Sequence, residues 1–595
     1  MLRSTLRCLL TATIAANMAT HAAAAVPLQV NPETGETQAQ FAQRTAWWRD
    51  AKFGMFIHWG IYSVPNSDHA NTAGLGEWYL YNNKMQVADY ERFASRFDPT
   101  QFDARQWVAT AKAAGMKYIV ITAKHHDGFC MFDTKLTDYN VVKASPWHHD
   151  PMKDLAAECK RQGIKLCFYY SFMDWHHPDY LPRRDWDTRP VDGADLDRYC
   201  DYVKGQLREL LTQYGPIGGI WFDGHWEHDA KQEHATEIVK LIRSLQPGIM
   251  INDRISLPED YDTPEQNIPG GALPNGRLWE TCMTINGHWG YAWSDSDFKS
   301  STALVRNLCD VVSKGGNFLL NVGPDARGVI PSEEVTRLAD VGHWLKSNGQ
   351  SVYGASQNPF KVLPYPGRCT MKGDTLYLQP FEWPAGGLAL SSLKTPVMDA
   401  HVLGTGESLK TGPAGGGGTW IQQPDFVNSK VTVVAVKLSG PFAIDTDATV
   451  AKPQPDGTYI LSADSADLHG SSLHLETTDG ISDIGYWHGL DDSPSWTLTV
   501  PSGAAGEYRV SMETSCPDAS VGSTFTVSSD DSKVNGTVTG TVDWDTYHTI
   551  TLDGTITLAP GRQAVVVTAL SMAKHDVMNL RRIVLTRCRR NRSSK

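Results

Sequence analysis

From about residue 40 to residue 350, short continuous apolar runs alternate with amphipathic stretches. The runs are Phe53–Trp59, Tyr118–Lys124, Leu166–Ser171, Gly219–Asp223, Ile249–Asp253, Leu278–Cys282 and Phe318–Val322. Runs of this kind predict strands buried on both faces, as in a parallel sheet covered by helices. Helical periodicity fills several of the gaps, at Asp103–Ala114, Pro151–Gln162, Leu196–Tyr214 and His234–Leu245. The alternation predicts a (β/α)8-like barrel, with a doubly wound sheet as the alternative. Polar residues stand directly at the strand ends: His58, His125 with His126, Asp223 and Arg254. That is the rim on which a barrel displays its active site, and it favours the barrel.

The pattern changes after Gly354. Residues 355–450 carry short alternating runs, such as Thr375–Leu378 and Val431–Val434, with a glycine-rich turn at Gly415–Gly418, and predict a small β-sandwich. Lys452–Gly457 reads as a linker or tight turn. Residues 451–595 predict a second β-sandwich, resembling carbohydrate-binding modules, with strands at Trp496–Val500, Tyr508–Met512, Thr524–Val527, His548–Leu552 and Ala564–Val567. Its Trp487, Trp496, Trp544 and Tyr547 serve either as a sugar-stacking platform or as core, and core is the commoner use of large rings in small sandwiches. The basic stretch Arg581–Lys595 reads as a solvated tail.

Composition narrows the class. The 595 residues are 41% hydrophobic and 20% charged, which excludes a disordered chain and a membrane bundle. A net charge of −12 argues against a nucleic-acid partner, while 19 Trp and 20 His suit a protein that handles sugars. Arg3 and Arg7, the apolar run Cys8–Ala16 and the exit Ala22–Ala25 describe a cleavable export signal over residues 1–25. Its removal takes the charge to −14 and predicts a secreted or periplasmic protein with no membrane span. Nine cysteines remain, scattered, with no C-x-x-C pair; most read as small buried hydrophobes, with room for one or two disulfides.

The strongest chemical candidate is Asp223, which closes the run Trp221-Phe222-Asp223-Gly224. A carboxylate at a strand mouth, flanked by aromatics, can attack an anomeric carbon; an Asp that merely caps the next element is the plain alternative. A glycosidase needs a second carboxyl, and Glu265 (after Pro264, on a loop) and Glu280 (inside a strand-like run) are both candidates that spacing does not separate, with a buried, paired structural carboxylate as the alternative for Glu280. The histidines at 58, 125, 126, 148, 149, 176, 177, 225 and 228 raise a metal-dependent hydrolase as a competing class. The His pairs are adjacent, though, and on a strand neighbours point to opposite faces; no His-Glu-x-x-His is present. A non-catalytic glycan-binding protein is the third reading. No metal and no cofactor is predicted.

Several motifs, taken together and in order, resemble the α-L-fucosidases of glycoside hydrolase family 29. They are Phe53–Gly60, Gly76–Tyr79, Lys124–Phe129, Trp221–Gly224, Ile251–Arg254, Trp279–Cys282 with Trp289–Tyr291, and Asn317–Pro324, covering about residues 40–355. The resemblance implies a catalytic barrel over residues 26–354 followed by β-sandwich domains. It also implies a retaining double displacement that releases terminal fucose from oligosaccharides or glycoconjugates.

Carried over residue by residue, Asp223 falls on the nucleophile. His58, Glu77, Trp78, His125, His126, Tyr169 and Arg254 fall on positions that hold the fucose, and Trp289 on an aromatic beside its methyl group. Glu265 is the favoured general acid. Glu280 is the alternative acid and otherwise a substrate-site residue. The Thr263–Gln266 segment together with Trp279–Cys282 looks like the subgroup acting on α-1,3/1,4-linked fucose. Trp59, Trp78 and Trp289 would supply apolar area for the methyl and ring face, and Asp223 would hold Glu265 protonated by repulsion.

Overall fold

The computed structural model describes residues 35–588 except 70–75, 270, 272, 274–275, 361–362, 364, 385, 415–417, 446–449, 455, 471, 479–480 and 518–520. The export-signal reading, most of the Gly415–Gly418 turn and the chain beyond 588 lie outside the described residues. Eight parallel strands form one sheet: β1 Phe53–Ile57, β2 Tyr118–Lys124, β3 Lys165–Ser171, β4 Gly219–Asp223, β5 Met250–Ile251, β6 Tyr261–Asp262, β7 Leu278–Thr284 and β8 Asn317–Val322. Their order is β5-β4-β3-β2-β1-β8-β7-β6, and a single parallel bridge between Asn252 and Tyr261 joins the two ends. The sheet is therefore a nearly closed (β/α)8-type barrel.

Helices Ala104–Ala113, Pro151–Gln162, Leu196–Gln213, Ala235–Leu245, Ser301–Ser313 and Ser332–Asn348 follow β1, β2, β3, β4, β7 and β8. Three of them begin at an Asp whose carboxylate accepts from backbone N–H groups of the first turn: Asp103, Asp150 and Asp195. Among the described residues no helix lies between β5 and β6 or between β6 and β7, and no helix is long and apolar enough to cross a membrane. The apolar run at Ile249–Asp253 yields only a two-residue strand, and β6 has no run of its own in the sequence reading.

Period-two alternation sorts the barrel. Phe56, Tyr118, Val120, Cys167, Tyr169, Trp221, Met250, Tyr261, Leu278, Cys282 and Leu319 pack together in the barrel interior. The intervening Met55, Ile57, Ile119, Ile121, Phe168, Tyr170, Ile220, Phe222, Phe318 and Leu320 face the helices and join the larger core. Gly54 also points inward. A Cβ there would meet the Tyr118 ring at 2.4 Å, so glycine leaves the space that ring occupies. Helix Gln38–Ala51 closes the N-terminal end of the barrel. Trp48 packs on Tyr261 with centroids 4.7 Å apart, Asn317 donates to the Trp48 carbonyl at 2.8 Å, and Arg44 pairs with Asp260 at 2.6 Å.

Beyond the barrel, a four-stranded sheet (Gly367–Lys372, Thr375–Pro380, Val434–Leu438, Val397–Val402) faces a three-stranded one around its own core. Tyr377, Val431, Val433 and Ala435 extend the barrel's outer core, and Trp344 Nε1 donates to the Val431 carbonyl at 2.8 Å. The last unit is built on a six-stranded and a five-stranded antiparallel sheet with a separate core. Trp487 and Trp496 are buried in that core, Trp544 packs against it, and Arg581 covers the Tyr547 ring at 3.5 Å. Core packing therefore occupies Trp487 and Trp496 of the rings considered as a sugar platform, while Trp544 and Tyr547 are partly buried. Arg581–Arg587 is not a tail: it belongs to strand Asn579–Arg587, where Arg582 pairs with Glu513 at 2.7 Å. The nine cysteines from Cys130 to Cys588 are all free.

Candidate active site

A pocket of about 410 Å³ opens at the C-terminal ends of the strands. That volume includes space open to solvent at the mouth. Inward-facing strand ends supply its floor: Phe56 and His58 from β1, Tyr169 from β3, Trp221 and Asp223 from β4, and Cys282 from β7. Glu77, Trp78, His125, His126, Trp226, Arg254, Glu265 and Trp289 complete it from the loops. Of the eleven residues that the family resemblance places in the site, all but Glu280 line this pocket, and Trp59, expected to add apolar area, does not.

Asp223 is held by two donors. Tyr169 Oη donates to its Oδ2 at 2.8 Å, and Arg254 Nη1 to its Oδ1 at 3.2 Å. Burial, and then the adjacent Asp223 carboxylate, push the Tyr169 phenol far above its ordinary pKa, so it keeps the proton it donates. Gly224 follows with φ of +76°, and a Cβ there would come within 2.6 Å of Met173; glycine lets the chain turn directly after the carboxylate.

Arg254 bridges the site. It lies 4.8 Å above the Trp221 ring, its Nε donates to Thr263 Oγ1 at 2.9 Å, and its Nη2 donates to Glu265 Oε2 at 2.8 Å. Thr263 in turn donates to Asp253 at 2.7 Å. Asp223 and Glu265 thus share one guanidinium. Bare repulsion between the two carboxylates is not the arrangement here, because the cation stands between them.

The three histidines are neutral, and hydrogen-bond partners fix two of their tautomers. Asn321 Nδ2 donates to the Trp289 carbonyl at 2.7 Å, which turns Asn321 Oδ1 toward His58 Nδ1 at 2.7 Å. His58 must then carry its proton on Nδ1 and present Nε2 to the pocket as an acceptor. Ser171 donates to the Met173 carbonyl at 2.6 Å and so accepts from His126 Nδ1 at 2.6 Å, leaving His126 Nε2 as a lone pair 3.7 Å from Asp223 Oδ2. Burial lowers the His58 pKa to about 4 and those of His125 and His126 well below the ordinary value. His125 stacks on Tyr169 with centroids 5.4 Å apart, and its Nδ1 has no protein partner. His125 and His126 both enter the pocket because they lie past the end of β2, where strand alternation no longer applies.

Glu77 is buried and accepts from the Gly290 N–H at 2.7 Å. Burial outweighs that bond and raises its pKa to about 7, so at mildly acidic pH it is a carboxylic acid able both to donate to and to accept from sugar hydroxyls.

Two expectations are corrected. Glu280 faces inward but two residues below Cys282, hence about 7 Å deeper along β7. It hydrogen-bonds Tyr118 Oη, and burial raises its pKa to about 7. It supports the floor and does not reach the pocket. Trp59 points outward, fully buried against Phe97, Phe102 and Trp107, with its indole N–H on the Asp325 carbonyl at 3.0 Å. Trp221 supplies the apolar floor instead. Asn321, Ser171, Thr263, Trp221 and Trp226 were not singled out by sequence. Strand parity was a usable signal for Trp221, which is inward with Asp223, and for Asn321, which is inward on β8.

His148, His149 and His176 serve structure. His148 Nδ1 meets the Val142 carbonyl at 2.7 Å, His149 pairs with Asp154 at 2.8 Å, and His176 pairs with Glu91 at 2.7 Å while stacking on Tyr139. Among the described residues no three His, Cys, Asp or Glu side chains converge as a metal site.

The sequence model of the family described as "Alpha-L-fucosidase" matches residues 18–350. The chain belongs to the α-L-fucosidase family. It is a glycoside hydrolase of the kind that releases fucose. The α-L-fucosidase isoenzyme 1 of Paenibacillus thiaminolyticus is 37% identical, covering 67% of this chain and 99% of that one, with a TM-score of 0.63. The α-L-fucosidase of Vibrio sp. strain EJY3 is 25% identical and covers 91% of this chain and 98% of its own, with a TM-score of 0.69, so the likeness runs into the C-terminal β units. A family 29 α-L-fucosidase from Bacteroides thetaiotaomicron, solved as a trapped covalent intermediate with 2-fluoro-fucosyl fluoride, is 29% identical over 67% of this chain and 96% of its own, with a TM-score of 0.62.

Proposed function

We propose that this protein is an exported, exo-acting, retaining α-L-fucosidase that removes terminal α-1,3/1,4-linked L-fucose from glycans, with Asp223 as nucleophile and Glu265 as general acid and base. The observation that carries the reading is placement: Asp223 lies buried at the pocket floor and Glu265, its side chain 41% exposed, at the mouth of the same pocket, which Glu280 does not line. Retention needs two carboxyls about 5–5.5 Å apart, one to attack and one to protonate. Asp223 attacks C1 as the C1–O bond to the leaving group breaks, and the proton of Glu265 passes to that oxygen. A water then attacks C1, gives its proton to Glu265 and releases fucose, restoring the Asp223 carboxylate.

Fucose fits the remaining chemistry. Neutral His58 and His126 accept from hydroxyls, protonated Glu77 both donates and accepts, and Trp221, Trp289 and Phe56 offer apolar area for the ring face and C5 methyl. Buried partners matched to particular hydroxyls reject epimers, which would leave them unpaired. The trapped intermediate of the Bacteroides enzyme supports the double displacement. The linkage reading rests on the Thr263–Gln266 and Trp279–Cys282 pattern, and the secreted or periplasmic location on residues 1–25.

The test is hydrolysis of an aryl α-L-fucoside and a Lewis-type branched trisaccharide by wild type, Glu265→Gln and Glu280→Gln, with NMR of the first anomer formed. Wild type should cleave the trisaccharide faster and release the α-anomer. Glu265→Gln should lose about 10²–10⁴-fold on the trisaccharide while keeping activity on an aryl fucoside with a good leaving group. Glu280→Gln should cleave the trisaccharide near the wild-type rate. A Glu280→Gln loss of the Glu265 size would move the acid to Glu280, and a first-formed β-anomer would refute retention.

A further inference from the structure

The pocket mouth carries an exposed ring, Trp226, to which the fucose contacts above assign no role. Trp226, three residues beyond Asp223, is 51% exposed, while Asp223 is 8% exposed at the floor and the Glu265 side chain is 41% exposed. Exposure thus rises from the nucleophile toward the acid and Trp226. The Trp226 ring lies nearly parallel to Trp78, with centroids 6.5 Å apart and planes at 13°, and edge-on to His126 at 5.6 Å. Behind Trp78 the ring contacts run inward to the buried Trp175, 5.2 Å away, and sideways to the partly exposed Tyr81.

This exposure is built in. The neighbouring Glu227 accepts from Tyr180 Oη at 2.6 Å and pairs with Arg184, while His228 Nε2 donates to the Leu181 carbonyl at 2.7 Å. The loop after β4 is therefore tied to the loop after β3 by the two residues that follow Trp226. A large ring held rigid and left open to water costs solvation without any gain in core packing. It gains binding when an apolar face covers it, and rigidity lowers the entropy cost of doing so.

In a closed-end pocket with C1 over Asp223, the leaving group can only extend toward the mouth, on the side of the acid. We propose that Trp226, backed by Trp78, is the platform for the first sugar of the leaving group, and that this sugar is a neutral pyranose stacking its C–H face on the indole. The inference rests on the fucosidase reading and assigns the residue that receives the leaving group's first sugar.

The experiment compares α-L-fucosyl fluoride, whose leaving group has no face to stack, with a disaccharide of α-L-fucose linked to N-acetylglucosamine. Wild type, Trp226→Ala and Trp226→Phe are measured on both. Trp226→Ala should lower the ratio of kcat/KM for disaccharide over fluoride about tenfold, chiefly through KM, and Trp226→Phe should restore most of it. A ratio within twofold of wild type in Trp226→Ala would overturn the platform, as would equal losses on both substrates. Wild type inactive on the fluoride would instead sink the fucosidase reading itself, so the two failures are distinguishable.

Discussion

Asn321→Asp tests whether the tautomer and charge of His58 are set from behind. In the native protein one amide does two things: its N–H₂ holds the Trp289 carbonyl and its oxygen takes the Nδ1 proton of His58, each at 2.7 Å. The imidazole is otherwise fixed by ring contacts, 4.4 Å to Phe56 and 5.2 Å to Trp289 between centroids. Replacing the amide by a carboxylate keeps the shape, removes the donor to Trp289 and sets a negative charge against the imidazole. An opposite charge at that distance raises a pKa by about 1–3 units. From about 4 the His58 value should therefore move to roughly 6, within that range.

At pH 5 the native imidazole is about nine-tenths neutral, and in the variant it would be about one-tenth neutral. Since only the neutral ring offers Nε2 as an acceptor, kcat/KM at pH 5 should fall about tenfold and recover toward pH 8. Asn321→Ala, which removes both bonds without adding charge, should lower kcat/KM at every pH and leave the acid limb in place. The assay is the pH dependence of kcat/KM on fucosyl fluoride for the three proteins. An acid limb in Asn321→Asp that coincides with wild type would refute the argument that Asn321 governs the charge of His58.

Two further perturbations follow from burial and space. Glu77 keeps its proton in the native state up to about pH 7, while its unfolded counterpart ionises near 4.5, so the native state binds more protons between those values and stability falls as pH rises through them. Glu77→Gln should remove this dependence. The difference in unfolding free energy between wild type and variant should shift by about 3 kcal/mol between pH 4 and pH 8, and a pH-independent difference in urea titrations would contradict it. Gly54→Ala places a methyl 2.4 Å from the Tyr118 ring, beneath the pocket. It should cost about 1–3 kcal/mol or more by overpacking and lower activity by displacing the Tyr118–Glu280 pair; a change below about 0.5 kcal/mol would show the ring free to move.

Much of the site was legible because a barrel converts sequence into position by two simple rules. Alternation along a strand says which residues face inward, and the strand's end says which of them meet solvent. Asp223 and His58 follow from those rules and from the motifs, and Tyr169 from the family resemblance. Loops escape them, which is why His125 and His126 enter the pocket together although neighbours on a strand diverge, and why Trp226 went unremarked. Trp59 was misplaced because motif membership said nothing about its parity, which is opposite to that of His58. In the last β unit, Trp487 and Trp496 are core, buried in one cluster with Tyr459, Tyr508 and Phe525.

The amino-acid sequence by itself determined the alternating strands and helices, the polar residues at the strand mouths and the ordered motifs that mark the family. Each depends on residues close together in the chain. Tertiary structure decided depth and partnership. Glu265 and Glu280 both precede or lie within β7, and only the stagger of neighbouring strands puts one at the mouth on Arg254 and the other a layer below on Tyr118. Closure through the two-residue strands β5 and β6 was decided the same way, since a single bridge between Asn252 and Tyr261 depends on where the rest of the barrel brings its edges. Height along the barrel axis is a property of the whole sheet, set by the registers of its eight strands together, and no local pattern records it.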